Sequence, residues 1–136
     1  MEDIDACNIF ISINKKHMPN RVIHFEIPAE DPEKIVKFYQ EVFDWKIKRW
    51  EDQDYWLVDN GKVGEYGIGG AIYKKDWMTT VVNTVGVDDV DAYVEKVKAA
   101  GGELVRGPME IPKVGRHAVL KDPEGTLFGI IKPLPM

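Results

Sequence analysis

One unit occurs twice in this chain, and that duplication limits the fold more than any other feature. Its first copy, Arg21–Val42, reads RVIHFEIPAEDPEKIVKFYQEV. Side chains alternate across a strand, so Ile23, Phe25 and Ile27 share one face and Val22, His24 and Glu26 the other. The apolar face suits a packed helix; the face with a His and a Glu suits wetter surroundings. Asp31-Pro32-Glu33 is a helix start, with Asp as N-cap, Pro at the first helical position and an acid in the first turn. Ile35, Val36, Tyr39 and Val42 then form one stripe. A shift of 58 residues carries Asp31 to Asp89, Ile35 to Tyr93, Val36 to Val94, Tyr39 to Val97 and Val42 to Ala100. We read the chain as two copies of one motif.

Each copy continues into further strands. Trp45–Trp50 alternates, Asp52-Gln53-Asp54 is a turn, Tyr55–Val58 is a strand, and Asp59–Lys62 is a hairpin-type turn. Gly64, Gly67, Gly69 and Gly70 then lead into Ala71-Ile72-Tyr73, and glycines in a strand mark a bulge or a close backbone approach. In the second half Thr80–Val87 is a strand, Asp88-Asp89 starts a helix and Gly101-Gly102 stops it. Glu103–Arg106 is a strand, and Gly107–Gly115 a loop, because Pro108 and Pro112 keep it out of a central strand. Arg116–Leu120 and Thr126–Lys132 are strands around the turn Asp122–Gly125. The fold class is α+β, one domain over residues 21–136 made of two βαβββ modules, about 21–76 and 79–136. Two halves of ~55 residues are too few for a solenoid and should pair about a pseudo-twofold axis. Residues 1–20 form an extension in which Ile9, Ile11 and Ile13 make an added strand, and Met18 is an alternative start.

Composition excludes several classes. With 136 residues there is enough chain for a real core. The net charge of −5 gives no bulk attraction for nucleic acid or an anionic membrane. No apolar run approaches the ~20 residues of a membrane span. Glu2, Asp3 and Asp5 argue against a secretory signal. A single cysteine, Cys7, excludes an internal disulfide and a multi-cysteine metal site. The expectation is a soluble, cytoplasmic protein.

The motifs His24-Phe25-Glu26-Ile27, Asp31-Pro32-Glu33, Phe38-Tyr39 and Phe43-Asp44-Trp45 stand in the first half. Val85–Asp89, Gly101-Gly102 and Asp122-Pro123-Glu124-Gly125 stand in the second. In this order and spacing, over residues 21–134, the chain resembles the vicinal oxygen chelate superfamily of glyoxalase I, bleomycin-resistance proteins and extradiol dioxygenases. The resemblance implies that the two modules form a curved mixed sheet around a cleft, with helices on the outer face. It also implies frequent side-by-side pairing, hence a homodimer. Metal enzymes of the family hold a divalent ion with one residue each from the first and last strands of both modules. Those positions map onto His24, Gly70-Ala71, Val82 and Gly129, so one ligand of four is kept. A Lewis-acid site needs several converging N or O donors and an open position; no metal site and no cofactor are therefore expected.

The candidate ligand-binding residues are His24, Glu26, Trp50, Tyr55, Trp56, Gly70 and Gly129. His24 and Glu26 are a polar pair in a pocket, or merely bond across the sheet; no nucleophile or third orienting group stands out, so catalytic residues are unknown. Trp50, Tyr55, Trp56 and Trp77 are stacking walls or, taken singly, core. His117 shares a face with Val119 and reads as structural or rim-exposed. Three glycines in Gly64–Gly69 precede a strand rather than a helix, a poor fit to a phosphate loop. Cys7 lacks an activating basic neighbour. The expected function is metal-free binding of a small organic molecule. The alternatives are a lactoylglutathione lyase-like lyase or isomerase, a metal-independent acid–base enzyme using His24 and Glu26, and a partner-binding module.

Overall fold

The structure is a computed structural model, and it describes residues 20–62 and 64–135. The expected strand at residues 9–13, Met18 and Cys7 lie outside the described residues. Among the described residues, eight strands and two helices follow the order that a βαβββ duplication demands: β1 (Val22–Ala29), α1 (Pro32–Phe43), β2 (Ile47–Arg49), β3 (Tyr55–Val58), β4 (Gly69–Lys74), then β5 (Val82–Gly86), α2 (Val90–Ala99), β6 (Glu103–Ile111), β7 (Gly115–Lys121) and β8 (Leu127–Pro133). The described residues divide into two compact units, His24–Val82 and a second built from Asn83 onward with residues 20–23.

In the first unit the strand order is β2-β3-β4-β1. β1 and β4 are parallel, placing His24 opposite Gly69, Phe25 opposite Gly70 and Glu26 opposite Ala71. β3 runs antiparallel to both β4 and β2. The apolar face of β1 does what its alternation predicts. Phe25 and Ile27 pack with Ala29, Val36, Trp56, Val58 and Ile72 beneath α1, joined by Ile35 and Tyr39. α1 begins at the Asp31 side chain, which accepts from the Lys34 N–H, and has Pro32 in its first turn. It ends at Asp44, whose left-handed φ of 58° turns the chain. That turn lays Trp45 on Tyr39, ring centroids 4.4 Å apart at 10°. Val42 departs from the expected stripe and is 55% exposed. It lies in the last turn of the helix, while Trp45 returns to cover Tyr39 and packs against the core.

In the second unit the order is β5-β8-β7-β6. β5 and β8 are parallel, with Thr84 opposite Gly129; β7 runs antiparallel to β8 and to β6. Val87, Val90, Val94, Ala118, Leu120 and Ile130 form its core, with Tyr93 and Val97 packed on it. Asp89 caps α2 by accepting from the Ala92 N–H. Gly101 takes φ 97°, a conformation glycine enters freely, and the Gly102 N–H bonds the Val97 carbonyl.

The expected loop at 107–115 is corrected. β6 runs through Gly107 and Pro108 to Ile111. Register shifts between Leu104 and Arg106 and again before Met109 absorb the proline. β6 stands at the end of the unit's strand order, where a missing N–H leaves no ladder bond unmade on the outer side.

Candidate functional site

On the sheet face of the first unit opposite α1, three side chains form one hydrogen-bonded chain. The Tyr55 hydroxyl donates to Glu26 Oε2 at 2.7 Å. The Tyr55 hydroxyl oxygen also lies 2.9 Å from His24 Nε2. With the phenolic proton committed to Glu26, the Tyr55 oxygen accepts from the imidazole N–H, which fixes the Nε2 tautomer. Tyr55 does not sit on a neighbouring strand. β4 lies between β3 and β1, and Ala71 is the residue on this face opposite both Glu26 and Leu57. Adjacent strands are about 4.8 Å apart, so the phenol spans about two such steps. A side chain larger than the Ala71 methyl would stand in its way.

Burial shifts the titration of both groups. It pushes the Glu26 carboxyl up from its ordinary value; the Tyr55 hydrogen bond works against this and the Asp76 carboxylate with it. Burial likewise pulls His24 down. The Tyr55 phenol is pushed far up by burial and by the neighbouring Glu26 charge, so it remains a proton donor. Tyr73 is pushed up to about 12 by burial and by Glu26 and Asp76. Its hydroxyl is shared between the carbonyls of Met78 and Thr80, at 3.1 and 3.2 Å. Burial on this sheet face thus works against charge on both His24 and Glu26, which are linked by the Tyr55 phenol.

The other candidates are placed as follows. Trp50 meets Tyr55 edge-on, centroids 5.7 Å apart at 63°, and borders the site. Trp56 is corrected: alternation puts it on the α1 side, 8% exposed in the core, with the Arg49 guanidinium 4.9 Å above its ring. Gly70 is corrected too. A Cβ there would lie 2.6 Å from the Phe25 ring, so this glycine seats Phe25 on the α1 side rather than a ligand. Gly129 faces Thr84 and His117: a Cβ would lie 2.7 Å from Thr84 Oγ1 and 3.1 Å from His117 Nε2. Those two side chains occupy the space beside Gly129. Sequence reasoning had Tyr55 as a stacking wall and missed its hydroxyl; a Tyr that shares strand parity with His24 and Glu26 was the available signal.

A cavity of about 760 Å³ lies elsewhere in the first unit, lined by Phe25, Phe43, Trp45, Val58, Tyr66 and Ile68 among others. Its size suits a small molecule, but it contains neither His24 nor Glu26; the convergent hydrogen-bonding groups are on the polar face.

A divalent metal does not fit the donors present. His24 and Glu26 both bond to Tyr55, Ala71 offers a methyl, Val82 is a buried apolar side chain and Gly129 has no donor. Among the described residues no group of three or more His, Cys, Asp or Glu could hold a metal ion. No helix among them is long and apolar enough to cross a membrane.

Residues 21–130 match the model of the Glyoxalase/Bleomycin resistance protein/Dioxygenase superfamily. The chain belongs to this superfamily. A putative glyoxylase, CFP32, of Mycobacterium tuberculosis is 35% identical over 117 residues, 81% of this chain and 43% of that protein. The chain therefore spans about two-fifths of that relative's length. A probable lactoylglutathione lyase of Vibrio parahaemolyticus is 29% identical over 125 residues, 82% of this chain and 90% of that one. Among solved structures, methylmalonyl-CoA epimerase from Mycobacterium tuberculosis shares the fold at a TM-score of 0.62 and 16% identity, over 84% of this chain and 88% of that one. Superfamily membership and the α+β fold agree with what the sequence motifs imply.

Proposed function

We propose that this superfamily member binds a small organic molecule on the His24–Tyr55–Glu26 face and does so without a metal. The observation that carries the reading is the single phenol oxygen that joins the imidazole to the carboxyl across Ala71. It gives a ligand a preorganised row of donors and acceptors on a partly apolar surface, bordered by Trp50, which is how small-molecule sites are generally built. A thermal-shift screen of small carbonyl compounds, thiol conjugates and aromatic antibiotics tests it, since a ligand that binds only the native state raises the melting temperature. A hit is expected to lose its shift in His24→Ala and Tyr55→Phe. A broad screen without hits, or a hit indifferent to both substitutions, removes the reading.

A second reading has its own support. Burial moves Glu26 up and His24 down, toward each other, as in sites that exchange a proton near neutral pH. With relatives named glyoxylase and lactoylglutathione lyase, this favours a metal-independent lyase or isomerase that moves a proton beside a carbonyl. Glu26 would take that proton, and Tyr55 would hold Glu26 in place. Solvent deuterium entering the C–H next to the carbonyl of a bound ligand is the readout. Glu26→Gln should keep binding and stop the exchange.

We further propose a cytoplasmic homodimer. Its supports are the single cysteine of the chain and the α1 surface, where Phe38, Val42 and Phe43 are each at least half exposed.

A further inference from the structure

The cavity of about 760 Å³ in the first unit lies on the other side of the sheet from His24 and Glu26, because Phe25 and Val58 in its lining pack with the core beneath α1. Four of its lining residues are aromatic: Phe25, Phe43, Trp45 and Tyr66. Three of these are held by their own contacts. The ring centroids of Phe25 and Phe43 stand 5.8 and 6.2 Å from that of Trp45, and Tyr39 stacks on Trp45 from α1. Tyr66 differs. It is fully exposed, and among the described residues its side chain has no ring contact and no hydrogen bond. Phe43 and Ile68 in the same lining are 59% and 41% exposed. Large apolar side chains grouped in the open beside a cavity mark a binding surface.

The polar part of the lining decides what binds. Asp44, Asp59 and Glu65 set three carboxylates against the ammonium groups of Lys46 and Lys62. Lys46 pairs with Asp44, at 3.6 Å. The Asp59 carboxylate accepts the Gly61 N–H, and that of Glu65 the Lys62 N–H. These bonds hold the two carboxylates in place, keep their charge, and use one of about four acceptor positions on each. Asp59 and Glu65 together outweigh Lys62. A cavity walled by ring faces and carrying an excess of negative charge disfavours an anion and attracts a cation.

We propose that this cavity is a second binding site, for an organic cation: a quaternary or protonated tertiary amine that carries an apolar group. The aromatic rings and the Asp59 and Glu65 carboxylates hold the charged head, and the apolar group covers Val58 and Ile68. None of these residues belongs to the His24–Tyr55–Glu26 face, so the site stands or falls independently of the function proposed above.

Benzyltrimethylammonium is the probe, with benzyl alcohol and benzoate as its neutral and anionic counterparts. Each is titrated into the full chain while the indole N–H signals of Trp45 and Trp50 are followed by NMR. The cation should shift the Trp45 signal to saturation and leave Trp50, on the polar face, in place. Benzyl alcohol should bind about five- to tenfold more weakly, and benzoate more weakly still. Tyr66→Leu keeps an apolar side chain and removes the ring; Tyr66→Phe keeps the ring. The first should weaken the cation severalfold and the second should not. Glu65→Gln keeps an acceptor for the Lys62 N–H and removes the charge, and it should also weaken the cation severalfold without lowering the melting temperature. A Trp45 signal that the cation does not move overturns the proposal. So does benzyl alcohol or benzoate binding as tightly as the cation, or cation binding that neither Tyr66→Leu nor Glu65→Gln weakens. Movement of the Trp50 signal alone would place the cation on the polar face and overturn the second site.

Discussion

Burial drives Glu26 and His24 in opposite directions on the pH scale, and the two leave opposite marks on stability. The Glu26 carboxyl titrates above its ordinary 4.5 in the fold. Between that value and the raised one, the native state binds more protons than the unfolded chain. Its contribution is complete below 4.5 and is lost as pH rises through the folded value. His24 titrates below its ordinary 6.5 in the fold. Its contribution is complete above 6.5 and is lost as pH falls through the lowered value. Glu26→Gln keeps an acceptor for the Tyr55 hydroxyl and cannot ionise. Its melting temperature relative to wild type should therefore rise as pH goes from below 4.5 to neutrality; a difference that stays flat across that range would show that the carboxyl is not held up by burial. On the same strand, Phe25→Ala removes a ring packed under α1 and should cost about 3–5 kcal/mol, as large aromatic truncations do. His24→Ala opens no cavity in that core and should leave the protein folded. Equal losses in chemical denaturation would mean that the two faces of β1 are assigned the wrong way round.

Among the elements, the helices carry the clearest local signals. Asp31 and Asp89 stand at equivalent positions, and each accepts from the backbone N–H three residues on, at 3.3 and 3.1 Å. Replacing either by Ala should cost about 1 kcal/mol, the usual worth of an N-cap. Urea denaturation of the two variants tests whether the caps are matched as the repeat implies; a loss at one and none at the other would show that only one helix depends on its cap. β6 shows the reverse case, in which a local rule was read correctly and its consequence was not. Pro108 does bar a central strand, but β6 ends the strand order of its unit, so the strand passes through the proline with shifted register. Whether a strand stands at an edge is not written in the strand itself.

For the molecule as a whole, light scattering of the full chain at high micromolar concentration should give twice the mass of one chain. Phe38→Glu with Val42→Glu should reduce that to one chain, because the exposed α1 surface would then carry charge. A monomeric wild type ends the dimer proposal. Chelator treatment should leave any ligand-induced thermal shift unchanged, since no group of three or more His, Cys, Asp or Glu among the described residues could hold a metal ion; a shift lost to chelator and restored by a divalent ion would overturn the metal-free reading. The repeat, the caps and the two faces of β1 were all legible in the sequence. Each rests on neighbours two to four residues apart, or on which residue types occupy a motif, and such patterns survive without knowledge of tertiary contacts. The polar chain of His24, Tyr55 and Glu26 was not legible, because its members are 31 and 29 residues apart and meet over an intervening strand. What brings them together is the strand order β3-β4-β1 and the small side chain at Ala71. Sequence alone determined which face each polar residue points from; only the pairing of strands decided which polar residues would share it.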